Sequence, residues 1–341
     1  MPDRTDVTAE RPALERANRA MEWPKPPAAP EWMAWTSPAA VLWPLAYGSV
    51  RVWWAVRGTP SFGRLRVDLL FFSGWGAVGL CAAAVVVALA LRKAPWFRPL
   101  LAVASGLCVA SLGACAMLLL DVVGGLFPHS GVPLNLPAFL SRAACLVQGI
   151  LLGAVAVTYR RRWRSDCLFC GQRGVPARLA QPPWWAWCAA YAAVAGWLGR
   201  IAAQVAVGWF ADSSQQAAGA LLAFEACFVL AGTVLPLALV HSWGRVFPRW
   251  VPRLAGRRVP RWLPLGPAFG IGGGLTLYFG ASILKFASAT VNGTWHQSGI
   301  SLPQAFFWVA MPAYLLWGIG LAIAAIAYRD LTRPKCRVCG R

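Results

Sequence analysis

Residues 304–328, QAFFWVAMPAYLLWGIGLAIAAIAY, form a run of 25 residues without a charged side chain. About 20 apolar residues are enough for a helix to cross the hydrocarbon core of a bilayer. Of the 341 residues in the chain, 58% are hydrophobic and 13% are charged, and the mean hydropathy is +0.54. This composition excludes a soluble globular enzyme, a disordered chain and a small disulfide-rich secreted domain. It predicts a multi-pass membrane protein.

Seven further apolar runs precede this one, so the sequence predicts an all-α membrane protein with eight transmembrane helices. The predicted spans are residues 37–57, 67–91, 99–124, 137–159, 183–208, 217–242, 264–287 and 304–328. The seventh span is rich in glycine, including Gly266, Gly270 and Gly274. These small residues favour close packing between helices, and a broken helix that lines a site is the alternative.

Basic residues are divided unequally between the loops on the two sides of the predicted spans. One side carries 25 Lys or Arg residues, whereas the other carries only Arg64 and Arg66. The basic side comprises the N-terminal tail and residues 92–98, 160–182, 243–263 and 329–341. Because cytoplasmic loops collect Lys and Arg, we expect both termini in the cytoplasm and the protein in the plasma membrane. The same bias explains the formal net charge of +20, so we expect no nucleic-acid binding.

The two halves of the chain repeat a pattern at a fixed offset. Six residues recur unchanged 169 positions later: Tyr159, Arg160, Arg164, Cys167, Cys170 and Gly171. Five residues of the first span recur in the fifth: Trp43, Ala46, Tyr47, Val50 and Trp53 match Trp187, Ala190, Tyr191, Val194 and Trp197. An internal duplication is favoured over chance similarity, because the matches keep the same order.

The duplication predicts two tandem four-helix repeats with the same orientation, as in parallel-repeat transporters. The first repeat covers residues 35–171 and the second covers residues 183–341. Residues 172–182 form a linker between them, and residues 1–34 form a mostly disordered cytoplasmic tail.

Each repeat ends in a C-x-x-C-G motif. Six of the ten cysteines lie within apolar spans, and the remaining four are Cys167, Cys170, Cys336 and Cys339. Two C-x-x-C pairs supply the four thiolates of a tetrahedral zinc site, and the duplication can bring the pairs together. We therefore predict a structural Zn²⁺ site that clips the two repeats together at the cytoplasmic face. A thiol redox pair and two unrelated exposed cysteine pairs are the alternatives.

Charged residues inside the apolar spans form a second candidate site: Arg51, Asp121, Arg142, Arg200, Glu225 and Lys285. Most of them fall in the outer half of the predicted spans, and His129 and His296 lie in outer loops at matching positions. They predict a cavity open to the outside that binds an anionic small molecule or a lipid headgroup. The alternative is a set of buried ion pairs and snorkelling side chains. The cavity hypothesis expects at least one basic and one acidic residue among Arg51, Asp121, Arg200 and Glu225 to be in contact across helices, because an unpaired charge inside the membrane is costly.

The first span carries the pattern Trp-x-x-Ala-Tyr-Gly-x-x-Arg-x-Trp-Trp-Ala-x-x-Gly from Trp43 to Gly58. This stretch resembles the first span of uncharacterised multi-pass membrane proteins of actinobacteria. The resemblance implies a bacterial plasma-membrane protein, and it brings no functional residue and no activity with it.

The sequence contains no acid–base pair, nucleophile triad or phosphate-binding loop that would indicate catalysis. We therefore expect a non-enzymatic, transporter-like or ligand-sensing scaffold that works in the lipid bilayer. A membrane enzyme is the alternative, either a thiol oxidoreductase that uses the C-x-x-C pairs or a lipid-modifying enzyme that uses the outer polar cluster. The sequence predicts no particular protein partner.

Overall fold

The structure is a computed structural model of the chain. It describes residues 30–60, 62, 69, 71–95, 97–126, 134–164, 166–171, 181–208, 225–247, 255–294, 302–333 and 336. Most of the predicted tail (residues 1–34) and of the predicted linker (residues 172–182) therefore lies outside the described residues.

Within the described residues, all regular secondary structure is helical. The helices are α1 (Glu31–Arg57), α2 (Trp75–Lys93), α3 (Arg98–Ala114), α4 (Leu118–Leu126), α5 (Leu136–Trp163), α6 (Trp184–Ala206), α7 (Glu225–Val240), α8 (Trp262–Val291) and α9 (Gln304–Leu331). Each of the eight predicted spans overlaps one of these helices, with α3 and α4 sharing the third span. The all-helical class predicted from the sequence is confirmed.

Five helical segments are long and apolar enough to cross a membrane: Trp75–Lys93, Arg98–Leu126, Leu136–Trp163, Trp262–Val291 and Gln304–Leu331. Large apolar side chains in the middle of helices are more than half exposed, including Leu42, Val86 and Ile150. Such side chains are unfavourable in water but match the hydrocarbon interior of a bilayer. The membrane class predicted from the composition therefore agrees with the fold.

The second and third predicted spans differ from the observed helices, one in its first residue and the other in its continuity. The second span was expected from residue 67, but helix α2 begins at Trp75, directly after Gly74 at φ +54°. The third span is divided by a turn at Cys115–Met117 between α3 and α4. Hydropathy detects an apolar run and its length, but it does not detect where the backbone inside that run leaves the helical conformation.

The sixth predicted span contains a π-helical turn at Leu230–Val234. Pro236 explains its position, because proline has no N–H group to donate to a carbonyl of the preceding turn. The backbone N–H of Leu235 bonds to the Leu230 oxygen, five residues back, which leaves the Ala231 carbonyl without a partner inside the helix. That carbonyl accepts a hydrogen bond from the indole Nε1 of Trp317 at 3.3 Å. The irregular turn thus fastens α7 to α9.

Helices α6 and α9 approach until their backbones touch. A Cβ atom at Gly196 would lie 2.5 Å from the Ala313 oxygen, and one at Gly320 would lie 2.5 Å from the Ala189 oxygen. Glycine is therefore required at both crossings. Helix α8 is continuous and packs on α9 in the same way, since a Cβ at Gly272 would lie 3.0 Å from the Gly318 oxygen. Of the three glycines that predicted close packing, only Gly274 has a near neighbour, since an added Cβ there would lie 3.2 Å from the Leu119 side chain, whereas Gly266 and Gly270 have no atom within 4 Å. Close packing therefore applies to part of the seventh span, and the described helix α8 is unbroken.

Each half of the chain has its own core of small residues. In the first half, Ala40, Ala84, Ala88 and Ala104 are buried with the larger Leu152 between α1, α2, α3 and α5. In the second half, buried residues of α6, α7, α8 and α9 form another cluster that includes Trp317 and Tyr328. This packing brings the ends of α5 and α9, and the cysteines beyond them, to the same end of the protein.

Candidate functional site

The first cysteine pair lies in a tight turn directly after α5. The backbone N–H of Gly171 donates a hydrogen bond to the Cys167 carbonyl at 2.6 Å, which closes the turn around Cys170. Gly171 has φ +69°, a left-handed conformation that residues with a Cβ rarely adopt. The guanidinium of Arg161 also fills the space that a Cβ at Gly171 would occupy, at 2.8 Å. The glycine of the C-x-x-C-G motif is therefore required by both the backbone conformation and the neighbouring arginine.

Cys336 reaches this turn from beyond the end of α9. The ligand atoms of Cys167, Cys170 and Cys336 all lie within 4.8 Å of one another, and each residue is partly buried. The sulfur atoms of Cys167 and Cys336 are 4.0 Å apart, about twice the length of an S–S bond. Four sulfurs at about 2.3 Å from one zinc ion would be about 3.8 Å apart in a tetrahedron. The spacing of this cluster, which we call the thiol cluster, therefore suits a shared metal ion better than a disulfide bond.

The predicted fourth ligand, Cys339, lies outside the described residues. The three described sulfurs come from both motifs, as the duplication predicted for a shared site. The thiol cluster can thus hold a metal ion, and its chemistry does not by itself distinguish zinc from other thiophilic metals.

Arginine side chains hold the backbone around the thiol cluster. Nη1 of Arg161 donates to the Leu168 carbonyl at 2.9 Å, and Nη2 of Arg333 donates to the Cys170 carbonyl. Arg333 belongs to the segment after α9, so this second contact joins the two halves of the chain. These cations also provide a positive environment, which favours the thiolate form that binds metals.

The end of α9 is fixed by Arg261, which precedes α8. Its Nε donates to the Thr332 hydroxyl at 3.1 Å, and its Nη2 donates to the Arg329 carbonyl at 3.0 Å. These bonds satisfy acceptors at the C-terminal turn of α9. Burial, followed by the nearby charge of Arg333, lowers the pKa of Arg261 from the usual arginine value. Arg261 therefore orients the segment that carries Arg333 and Cys336 towards the first cysteine pair.

The charged residues inside the spans form two ion pairs. Nη1 of Arg142 lies 2.7 Å from both carboxylate oxygens of Asp121, and both side chains are buried. The guanidinium of Arg200 faces both carboxylate oxygens of Glu225 at 3.3 and 3.4 Å. Contact between a basic and an acidic residue among Arg51, Asp121, Arg200 and Glu225 is therefore confirmed by the Arg200–Glu225 pair. The ligand-binding role of these residues stays a prediction.

Tyrosine and serine hydroxyls also bind the arginine side chains inside the spans. Nε of Arg200 donates to the Tyr314 hydroxyl at 2.8 Å, and the Arg200 guanidinium lies 4.8 Å from the Phe228 ring centre. In the first half, Nη1 of Arg51 donates to the Ser141 hydroxyl at 3.2 Å, and the hydroxyls of Tyr47 and Ser141 are 3.0 Å apart. Sequence reasoning missed these partners, because a neutral hydroxyl inside an apolar run leaves little trace in charge or hydropathy.

The remaining predicted polar residues lie apart from these pairs or outside the described part of the chain. Nζ of Lys285 lies 5.6 Å from the centre of the Phe71 ring. Arg51, Arg200 and Lys285 each lie six residues before the end of their helix, and Arg142 lies six residues after the start of α5. They are therefore at the end of the helices that is remote from the thiol cluster. His129 and His296 lie outside the described residues.

No protein-family model matches this sequence, and neither a curated protein nor a solved structure matches it significantly. The functional assignment therefore depends on the chain's own residues, above all on the thiol cluster.

Proposed function

We propose that this protein is a non-enzymatic membrane scaffold whose two halves are joined by a structural zinc site at the thiol cluster. The observation that carries the proposal is the 4.0 Å separation between the sulfurs of Cys167 and Cys336, which come from different halves of the chain. Zinc is the preferred occupant because cysteine-only sites of paired C-x-x-C motifs suit its tetrahedral geometry. Cys339 is the proposed fourth ligand, since it repeats the spacing of Cys170.

A site with four sulfur ligands leaves no coordination position open for a substrate, so its role is structural. The metal would tie the segment after α9 to the turn after α5. Arg333 already makes a contact of this kind by binding the Cys170 carbonyl. Metal binding and closure of the two halves would then be one coupled event.

The wider architecture in this proposal is eight spans in two tandem repeats, with both termini in the cytoplasm. Two buried tyrosines support the repeat. The hydroxyl of Tyr159 donates to the Pro95 carbonyl at 2.6 Å, and that of Tyr328 donates to the Gly244 carbonyl at 3.1 Å. Each tyrosine thus binds the backbone just beyond the second helical region of its own half, and the two tyrosines are 169 residues apart. The concentration of Lys and Arg at one set of loops supports the orientation.

The buried polar groups at the other end of the helices support a transporter-like or ligand-sensing role over a purely structural one. Arg200 is held by Glu225 and Tyr314 between three helices, which is an arrangement suited to an anionic ligand that competes with the carboxylate. The enzyme alternative has less support. A C-x-x-C oxidoreductase needs its two thiols mainly for each other, whereas here Cys336 of the other motif shares the cluster.

The decisive experiment measures metal bound to the protein after purification under reducing conditions. We expect about one zinc ion per wild-type chain by elemental mass spectrometry and a large loss in Cys336→Ser. Cys188→Ser is the matched control, because Cys188 is an exposed cysteine of α6 that is not a member of the thiol cluster. Wild-type protein without bound metal, or equal zinc content in Cys336→Ser and Cys188→Ser, contradicts the proposal.

The proposed orientation needs a separate test. After removal of metal with a chelator, a membrane-impermeant maleimide should label Cys167 in inside-out vesicles and leave it unlabelled in right-side-out vesicles. Cys167→Ser supplies the background signal from other cysteines. Labelling of Cys167 only from the outer face would reverse the orientation while leaving the zinc site intact.

A further inference from the structure

A separate cavity of about 740 Å³ lies between the beginning of α1 and the ends of α2 and α5. Its inner surface contains the buried side chains of Met33, Thr36 and Val155. Its outer edge carries three exposed cations, Arg92, Lys93 and Arg162, together with Trp163, which is 48% exposed. We call this feature the basic cavity. It combines an apolar and hydroxyl-bearing interior with a cationic edge.

We propose that the basic cavity binds the phosphodiester headgroup of an anionic phospholipid. No carboxylate is among the described residues that line it, so the three cations give this described lining a net positive charge. Basic pockets between transmembrane helices are suited to anionic headgroups, because Lys and Arg near the membrane surface attract the phosphate charge. The hydroxyl groups of Thr36 and Ser37 provide further donors within the same cavity.

The depth of the cavity favours a lipid over a free anion. Helix α1 begins at Glu31 and helices α2 and α5 end at Lys93 and Trp163, so the cavity lies at one end of these three helices. Helices α2 and α5 are long and apolar enough to cross a membrane, so their ends are expected near its surface. Trp163 at its edge is a residue type that concentrates at headgroup level. A headgroup at this depth could place its phosphate among the cations and its glycerol region against the apolar interior.

The cavity wall is preorganised by Tyr159. Its buried hydroxyl donates to the Pro95 carbonyl at 2.6 Å and accepts from the Phe97 backbone N–H at 2.9 Å. These bonds hold the connection after Lys93 against the end of α5, and they fix the gap between Arg92 and Arg162. A ligand would therefore meet a formed site, which lowers the entropic cost of binding.

The basic cavity is distinct from the other sites. The neighbouring Arg161 points towards the thiol cluster and bonds to Leu168, whereas Arg162 lines the cavity. Thr36 in the cavity and Arg51 in the outer polar cluster are 15 residues apart on α1, or about 22 Å along the helix. Lipid binding here can therefore be lost while zinc binding and the outer ion pairs are kept.

The test is native mass spectrometry of the protein in a neutral detergent, titrated with dioleoylphosphatidylglycerol or dioleoylphosphatidylcholine. We expect the first phosphatidylglycerol to bind wild type at least about 10-fold more tightly than phosphatidylcholine. The variant Arg92→Gln/Lys93→Gln/Arg162→Gln should lose this preference. The control variant Arg98→Gln/Arg160→Gln/Arg257→Gln should keep it, because it removes three exposed arginines that do not line the cavity.

Two other results would overturn the lipid-binding proposal. Equal loss of the preference in both triple variants would mean that total charge attracts the lipid, and it would overturn the site. Displacement of phosphatidylglycerol by 10 mM sodium phosphate would assign the cavity to a free phosphate anion and overturn the lipid assignment. Thermal unfolding midpoints measured on the same samples show that each variant is folded, and this control keeps the test independent of the thiol cluster.

Discussion

Arg333 donates a hydrogen bond to the backbone carbonyl of Cys170, which lies 163 residues earlier in the chain. The bond joins the segment after α9 to the cysteine turn after α5. It accompanies the contact between Cys336 and Cys167, so the two halves meet through both a cation and a pair of sulfurs. The thiol cluster is therefore supported by contacts outside its own ligands, and those contacts can be tested separately.

Replacement of Arg333 should weaken metal retention without removing a ligand. A hydrogen bond from a charged donor contributes about 1.5–3 kcal/mol, so Arg333→Gln should lose zinc to a chelator roughly 10-fold faster than wild type. The measurement is the rate of zinc release to a chromogenic chelator. Arg329→Gln is the control, since Arg329 is half exposed and its side chain pairs with Asp330. Identical zinc-release rates for the two variants would show that Arg333 does not stabilise the metal site.

Substitution of Gly171 should distort the first cysteine turn. Gly171→Ala places a Cβ 2.8 Å from the Arg161 guanidinium and forces a non-glycine residue into φ +69°. We expect a loss of about 1–3 kcal/mol in stability and a clear fall in zinc content. Gly256→Ala is the matched control, because Gly256 has φ +73° with no atom within 4 Å of its added Cβ. If both variants retain zinc equally, the contact with Arg161 has no role in shaping the turn.

Loss of the Asp121 carboxylate should destabilise the first half of the chain. Asp121→Asn leaves the buried Arg142 without its negative partner, and breaking a buried ion pair costs about 3–5 kcal/mol. Asp330→Asn should cost at most about 1 kcal/mol, because the Arg329–Asp330 pair is exposed. Thermal unfolding in the same detergent compares the two variants. An equal shift in their midpoints would indicate that Asp121 and Arg142 are solvated in the membrane.

The backbone contact between α6 and α9 predicts a strong difference between two neighbouring glycines. A Cβ at Gly196 would lie 2.5 Å from the Ala313 oxygen, whereas one at Gly199 would lie 3.5 Å from the Ala313 Cβ. Gly196→Ala should therefore destabilise the protein by about 1–3 kcal/mol, and Gly199→Ala should be nearly neutral or slightly stabilising. Thermal unfolding of both variants provides the measurement. A neutral Gly196→Ala would show that the two helices can separate at no cost.

The candidate site was predictable only in part. The C-x-x-C-G motifs and their 169-residue offset identified the cysteines that meet, because metal-ligand spacing and duplication are properties of the sequence. The ion-pair partners of the buried charged residues could not be predicted from the sequence. Asp121 with Arg142 and Glu225 with Arg200 could each have been assigned differently, since any cation in one span can in principle face any carboxylate in another. The basic cavity was not predicted, because Arg92 and Lys93 lie in the last turn of α2 and Arg162 lies in the last turn of α5, and the sequence does not show that these two helix ends are neighbours.

The sequence by itself determined the helical membrane class, the approximate positions of the helical runs and the residue types of the thiol cluster. These properties follow from local hydropathy and from short spacings that hold in any packing of the chain. Tertiary structure alone decided that Arg333 reaches the Cys170 carbonyl, that Trp317 reaches the Ala231 carbonyl at the π-helical turn, and that three cations lie at the edge of one cavity. Those relationships depend on which helices lie side by side, and helix neighbours in a membrane are selected by backbone fit and buried polar contacts, to which overall hydropathy is insensitive.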